Sequence, residues 1–120
     1  MKSNVVASGL AVVLGLAGVV GLADVAVAQA SVVDDRKVEA DRLFQQGIQQ
    51  FQIGQFESAF QSWQQALMRY SEIKDRQGEG KSLNALGIIY LVLGNYSKAI
   101  EFNEQSLAIA RELKDREQGI

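Results

Sequence analysis

The run Gly78-Glu79-Gly80-Lys81-Ser82 has the residue types of a phosphate cradle. Glycines let backbone N–H groups approach an anion, the lysine adds charge, and the hydroxyl can hold a metal. Such a loop also needs a further glycine five residues before Gly80, a buried strand ahead of it and a helix behind it. Asp75 stands at that position, a carboxylate where phosphate would sit, and Ala66 to Ile73 reads as helix rather than strand. In the internal pattern described below, Gly80-Lys81-Ser82 overlies Ala40-Asp41-Arg42. The five residues therefore read as the first turn of a repeated helix, and no nucleotide or other cofactor is expected.

Other chemistry is thinly supplied. The chain of 120 residues has no His and no Cys, which removes the commonest general base, the thiolate nucleophile and most transition-metal ligands. Asp34 with Asp35, or Glu101 with Glu104, could pair for acid–base work or hold a hard cation, but their spacing is that of capping and solvated helix surface. Glu112 four residues before Arg116, and Glu57 four before Gln61, are ordinary surface pairs. The expectation is a protein that is not an enzyme, with no catalytic, cofactor-binding or metal-binding residue.

The elements come next. Met1-Lys2-Ser3-Asn4 opens the chain with a positive charge, and residues 5 to 23 carry no charge at all. Ala26-Val27-Ala28 and Ala28-Gln29-Ala30 then offer small-x-small exits. That order reads as a signal peptide over residues 1–30, cleaved after Ala28 or Ala30, and hence as a periplasmic or extracellular protein. The alternative is a membrane anchor formed by uncleaved residues 5–23, a run just long enough to span. Leaving out Lys2 and Asp24, 11 of 12 basic and 13 of 14 acidic residues remain, a net charge of −2 with no footprint for nucleic acid or an anionic membrane. With no Pro to interrupt helices and no disulfide to brace it, residues 31–120 must be held by packing.

The chain matches itself when slid by forty residues. Asp35-Arg36 falls on Asp75-Arg76 and that on Asp115-Arg116. Leu43, Gly47, Ile48, Gly54, Ala59, Gln65, Leu67, Glu72 and Lys74 recur as Leu83, Gly87, Ile88, Gly94, Ala99, Gln105, Leu107, Glu112 and Lys114. The units are about residues 35–74 and 75–114, with a third beginning at 115–120. Each reads as two helices. Leu83, Leu86, Ile89 or Tyr90, and Leu93 share one helical face; Gly94-Asn95 breaks the pattern; Ala99, Phe102, Ser106, Ile109 and Leu113 share the next face. Asp35, Asp75 and Asp115 are candidate N-caps. Gly47 and Gly87 sit mid-helix, where glycine costs about 1 kcal/mol against alanine. Taking that cost twice in one register implies close helix packing, with Ala59 and Ala99 as the expected opposite walls. Trp63, Phe51, Phe56 and Phe60 read as interhelix core rather than as a partner-binding patch, and the glutamines from Gln45 to Gln55 as the neutral polar face of a helix.

Leu43, Gly47, Gly54-Gln55-Phe56, Ala59, Trp63 and Ala66, with Leu83, Leu86-Gly87, Tyr90, Gly94-Asn95-Tyr96 and Ala99, resemble the tetratricopeptide repeat consensus over nearly all of residues 35–120. The forty-residue period, and Ala110-Arg111-Glu112-Leu113-Lys114-Asp115-Arg116 at the junction, are similar to an extended bacterial variant. The chain departs from the pattern at Gln46 and Gln50, where the consensus has Leu and Tyr, and at Asn103 and Ser106, where it has a large aromatic and Ala.

The resemblance implies an all-α fold of antiparallel helical hairpins stacked as a short α-solenoid, whose concave surface binds a peptide or partner protein. Carried over residue by residue, that surface comprises Asp41, Phe44, Gln45, Ile48, Gln52, Lys81, Asn84, Ala85, Ile88 and Leu91. The lysine, asparagine and arginine set with which some members hold a terminal carboxylate is represented only by Lys81 and Asn84. The alternative function is structural: the front piece of a larger exported repeat protein, or a homodimer whose copies cover each other's C-terminal ends, where Leu107, Ile109 and Leu113 face outward.

Overall fold

The computed structural model describes the backbone of residues 22–119 and the side chains of residues 35–119. The expected apolar leader up to residue 21 lies outside the described residues. Contacts divide the chain after Asp34, and the packing below is that of the second unit, Asp35–Ile120, alone. Four helices follow in order: α1 (Leu22–Gln52), α2 (Phe56–Glu72), α3 (Arg76–Val92) and α4 (Tyr96–Glu117). Among the described residues there is no strand, and no described helix is long and apolar enough to cross a membrane. The fold is an all-α repeat solenoid, as the resemblance implies.

The two hairpin turns are copies. Gly54 and Gly94 take φ of 81° and 82°, a left-handed conformation that a side chain disfavours. Each closes with the same pair of backbone bonds, Gly54 N to Phe51 O and Gln55 N to Gln50 O in one, Gly94 N to Leu91 O and Asn95 N to Tyr90 O in the other. Asn95 caps α4 by accepting from Lys98 N at 3.2 Å, whereas Gln55 makes no side-chain cap on α2.

The third turn repeats these bonds, Lys74 N to Ser71 O and Asp75 N to Tyr70 O, with a lysine in the glycine's place. Lys74 takes φ 57° without being glycine, and Asp75 caps α3 by accepting from Gly78 N at 3.0 Å. Asp75 is also held from α1 by Lys37, whose Nζ donates at 2.8 Å. Asp35 and Asp115 do not cap helices: α1 runs through Asp35, and through both expected cleavage points, while α4 continues past Asp115 to Glu117. Among the described residues the same dipeptide turns the chain at Asp75, where Lys37 from α1 meets it, and neither Asp35 nor Asp115 has an equivalent of the Lys37 contact.

The core has two parts. Ala40, Leu43, Ala66 and Tyr70 join α1 to α2; Ala59, Trp63, Ala85, Leu86 and Ile89 join α2 to α3. Trp63 is core, with the Phe51 and Phe60 side chains packed against it. Its indole Nε1 donates to the Phe44 carbonyl at 3.0 Å. Gly47 faces that indole: a Cβ there would overlap the Trp63 ring. Gly87 faces Ala99 as expected, but also Phe102 and the Asn103 side chain. Leu93, expected on the buried face of α3, is instead its exposed C-cap. Arg76 ties α3 to α4 through a two-pronged contact with Glu112 at 2.8 and 3.1 Å.

Candidate interaction surface

Helices α1 and α3 meet at a polar junction, mid-helix in α1 and in the first two turns of α3. Lys37, Asp41 and Gln45 lie on one side and Asp75, Gln77 and Lys81 on the other, around a cavity of about 320 Å³. Asp41 accepts a hydrogen bond from the buried Tyr70 hydroxyl, while the Lys37 and Lys81 ammonium groups each lie 3.9 Å from the same carboxylate. Burial, reinforced by the Asp41 contact, pushes the Tyr70 phenol well above its usual range. Burial works to raise the Asp75 carboxyl, but the hydrogen bonds from Lys37 and from the Gly78 N–H outweigh it and hold the group below the usual carboxylate range. The Lys81 ammonium lies over the rings of Phe44 (4.5 Å) and Tyr70 (5.3 Å), so its stem is pinned while its head stays in solvent.

Beyond this junction the face turns apolar. Phe44 and Ile48 are half-buried and pack against the core, whereas Ile88 and Leu91 are 39% and 52% exposed. Gln45, Gln52 and Asn84 are exposed beside them. Nine of the ten residues expected on this surface therefore reach solvent in some part. Ala85 does not; at 5% exposure it belongs to the core between α2 and α3. A one-residue rotation on a helix carries a side chain about 100° round the axis, enough to take Ala85 from the rim to the interior. Lys37, Asp75, Gln77 and Tyr70 were missed as members of the junction. Lys37 was legible from its spacing, four residues before Asp41; the others come from a different helix.

The Gly78-to-Ser82 run lies within the first two turns of α3, and its glycines and serine have structural work. A Cβ on Gly78 would overlap the Tyr70 ring, and one on Gly80 would press Ile109 at 3.2 Å. The Gly80 carbonyl accepts from Ser106 Oγ at 2.9 Å. Ser82 is fully buried, and its hydroxyl has no partner among the described residues, so it cannot reach a ligand in solvent. Among the described residues no three acidic side chains gather where they could hold a metal. Glu112 pairs with Arg116 at 3.5 Å as its spacing predicts, and Glu101 with Lys98 at 3.4 Å.

Comparison with protein families matches residues 39–112 to the tetratricopeptide repeat. The match covers both hairpins and stops short of the last turn of α4. Comparison with curated proteins and with solved structures gave no significant match.

Proposed function

The chain belongs to the tetratricopeptide repeat family, whose repeats generally mediate protein–protein interaction and are typically non-catalytic, and from that premise we propose that it is an exported binding module holding a peptide or partner segment along the α1–α3 face. The observation that carries this reading is the exposure of Ile88 and Leu91 in line with half-buried Phe44 and Ile48. Large aliphatic side chains on a surface, flanked by Lys81, Asn84 and Gln45, supply apolar anchorage with a polar rim. The junction of Lys37, Asp41, Asp75 and Lys81 closes one end of that face with balanced charge, which favours a segment of low net charge there. Export rests on residues 1–30, in the periplasm or outside the cell, and N-terminal sequencing of protein recovered from those compartments tests it: a start at Gln29 or Ser31 is expected, and a start at Met1 would mean an uncleaved anchor.

Phe44 and Ile48 help to fill the core, so Ile88 and Leu91 are the sites for a clean test of binding. A photo-crosslinking amino acid at Asn84 is expected to capture a partner in the native compartment. The same probe combined with Ile88→Asp or Leu91→Asp, in protein whose helical circular dichroism is unchanged, is expected to lose it. Undiminished capture in both variants would place the contact elsewhere. A structural role, as part of a larger exported repeat protein or as a homodimer, is the second reading; it is favoured by Ile100 and Leu107, which are 57% and 50% exposed on α4.

A further inference from the structure

A cavity of about 380 Å³ opens between the N-terminal part of α2 and the C-terminal end of α3, lined by Phe56, Glu57, Phe60, Ile89, Tyr90 and Leu93. Its wall is apolar but for one carboxylate. Ile89 is buried, the three rings are half-buried, and Leu93 and Glu57 are exposed. Neighbours hold the rings in place. Phe56 lies 5.1 Å from Phe51, Phe60 meets Tyr90 edge-on at 5.5 Å, and Tyr90 stacks on Phe102 at 5.3 Å. A pocket of this size with walls already packed takes a small group without paying to order them.

The fields around the cavity favour one sign of charge. Glu57 makes no ion pair among the described residues, and no described lysine or arginine lines the wall. The C-terminal end of α3 is the negative end of its dipole, and its last turn carries no basic residue. The positive end of α2 lies on the same side, and Glu57 in its first turn offsets it. The faces of Phe56, Phe60 and Tyr90 add the negative potential of their π-systems. A cation with an apolar body satisfies all of these; an anion is repelled by Glu57, and a neutral hydrocarbon gains nothing from it. Packing of the repeat does not by itself demand this set. The forty-residue register puts Ser97 and Ile100 at the positions of Glu57 and Phe60, and Gln50 at that of Tyr90.

We propose that this pocket binds an alkylammonium group, with Phe56, Phe60 and Tyr90 against its methyl or methylene carbons and Glu57 beside its charge. The inference goes beyond the α1–α3 reading and shares no residue with that face.

The test titrates the full, nitrogen-labelled chain with choline, with the uncharged tert-butyl analogue of choline, and with lysine amide acetylated at its α-amine, following backbone amide shifts. Saturable shifts at Glu57, Tyr90 and Leu93 are expected, with choline bound about fivefold or more tighter than its analogue. Glu57→Gln is expected to weaken choline by about threefold and to leave the analogue unchanged. Glu57 is exposed, so that variant keeps the wild-type circular dichroism; Phe56→Leu, which removes one ring, is expected to weaken choline as well. Tighter binding of choline than of the lysine derivative marks a free ligand, and the reverse marks a partner's side chain. No saturable shift with either cation would overturn the proposal. So would equal affinity for choline and its analogue, or choline binding indifferent to both Glu57→Gln and Phe56→Leu. Ile88→Asp and Leu91→Asp are expected to leave the choline titration unchanged, and Glu57→Gln to leave capture through Asn84 unchanged, so the pocket and the α1–α3 face fail separately.

Discussion

Gly47 and Gly87 occupy the same register of the repeat, yet alanine at the two sites should act in opposite directions. In both helices the substitution recovers about 1 kcal/mol of intrinsic helix propensity. At Gly47 the new methyl would overlap the Trp63 indole, with ring carbons within 2.5 and 2.8 Å of the added carbon. The indole is 4% exposed and fixed by its bond to the Phe44 carbonyl, so it cannot simply swing away. Overpacking of that kind costs about 1–3 kcal/mol, and losing the indole bond costs about 1 kcal/mol more. The net expectation for Gly47→Ala is a loss of about 1–3 kcal/mol. At Gly87 the nearest atom is the Asn103 side-chain oxygen at 2.8 Å, the tip of an exposed side chain, and the next two atoms lie at 3.4 Å. Moving Asn103 costs little, so Gly87→Ala is expected to be neutral or to stabilise by up to about 1 kcal/mol. Urea and thermal unfolding followed at 222 nm measure both. For a domain of this size 1 kcal/mol corresponds to about 4–8 °C in Tm, so the two variants should melt at least about 4 °C apart. Trp63 fluorescence should change in the first variant and not in the second. Equal stability of the two, or a Gly47→Ala protein more stable than the parent, would refute the assignment of Trp63 as the wall.

Three further outcomes can be checked by the same unfolding measurements. Ser82→Ala removes a buried hydroxyl with no partner among the described residues, and is expected to be neutral or stabilising by about 1 kcal/mol; a loss above that would mean the hydroxyl is satisfied. Lys74→Gly relieves a left-handed backbone that costs a side-chain-bearing residue about 1–2 kcal/mol, partly offset by the greater freedom of glycine in the unfolded chain, so a gain of about 0.5 kcal/mol is expected. Asp75 has a folded value below its unfolded one, so its contribution is complete above about pH 4 and is lost as pH falls through the depressed folded value. Asp75→Asn, which keeps the cap, should cost about 0.5 kcal/mol at pH 7 and flatten the loss of stability between about pH 5 and 2. An unchanged acid profile would show that the Lys37 pair contributes nothing.

The comparison of the two glycines also marks where sequence reading ends. Helix existence, the left-handed turns at Gly54 and Gly94, the cap at Asp75 and the burial of Leu83, Leu86 and Ile89 depend on periodicity and on residues within a few positions, and the forty-residue match doubled each signal. What lay across a helix interface was not local. The first hairpin sets Trp63 against Gly47 while the second sets Asn103 against Gly87, because the large side chain reaches over the neighbouring helix where an aligned alanine does not. Ala85 moved from surface to core for the same reason: its exposure depends on where α2 crosses α3. Asp75 turns the chain and meets Lys37 from α1, whereas Asp115, with the same neighbours in sequence, stays helical. The sequence by itself determined two helical hairpins, their turns and their polar and apolar stripes. Only the tertiary structure decided which stripe is covered and which is left open on α4, since burial is a property of the partner surface and not of the residue.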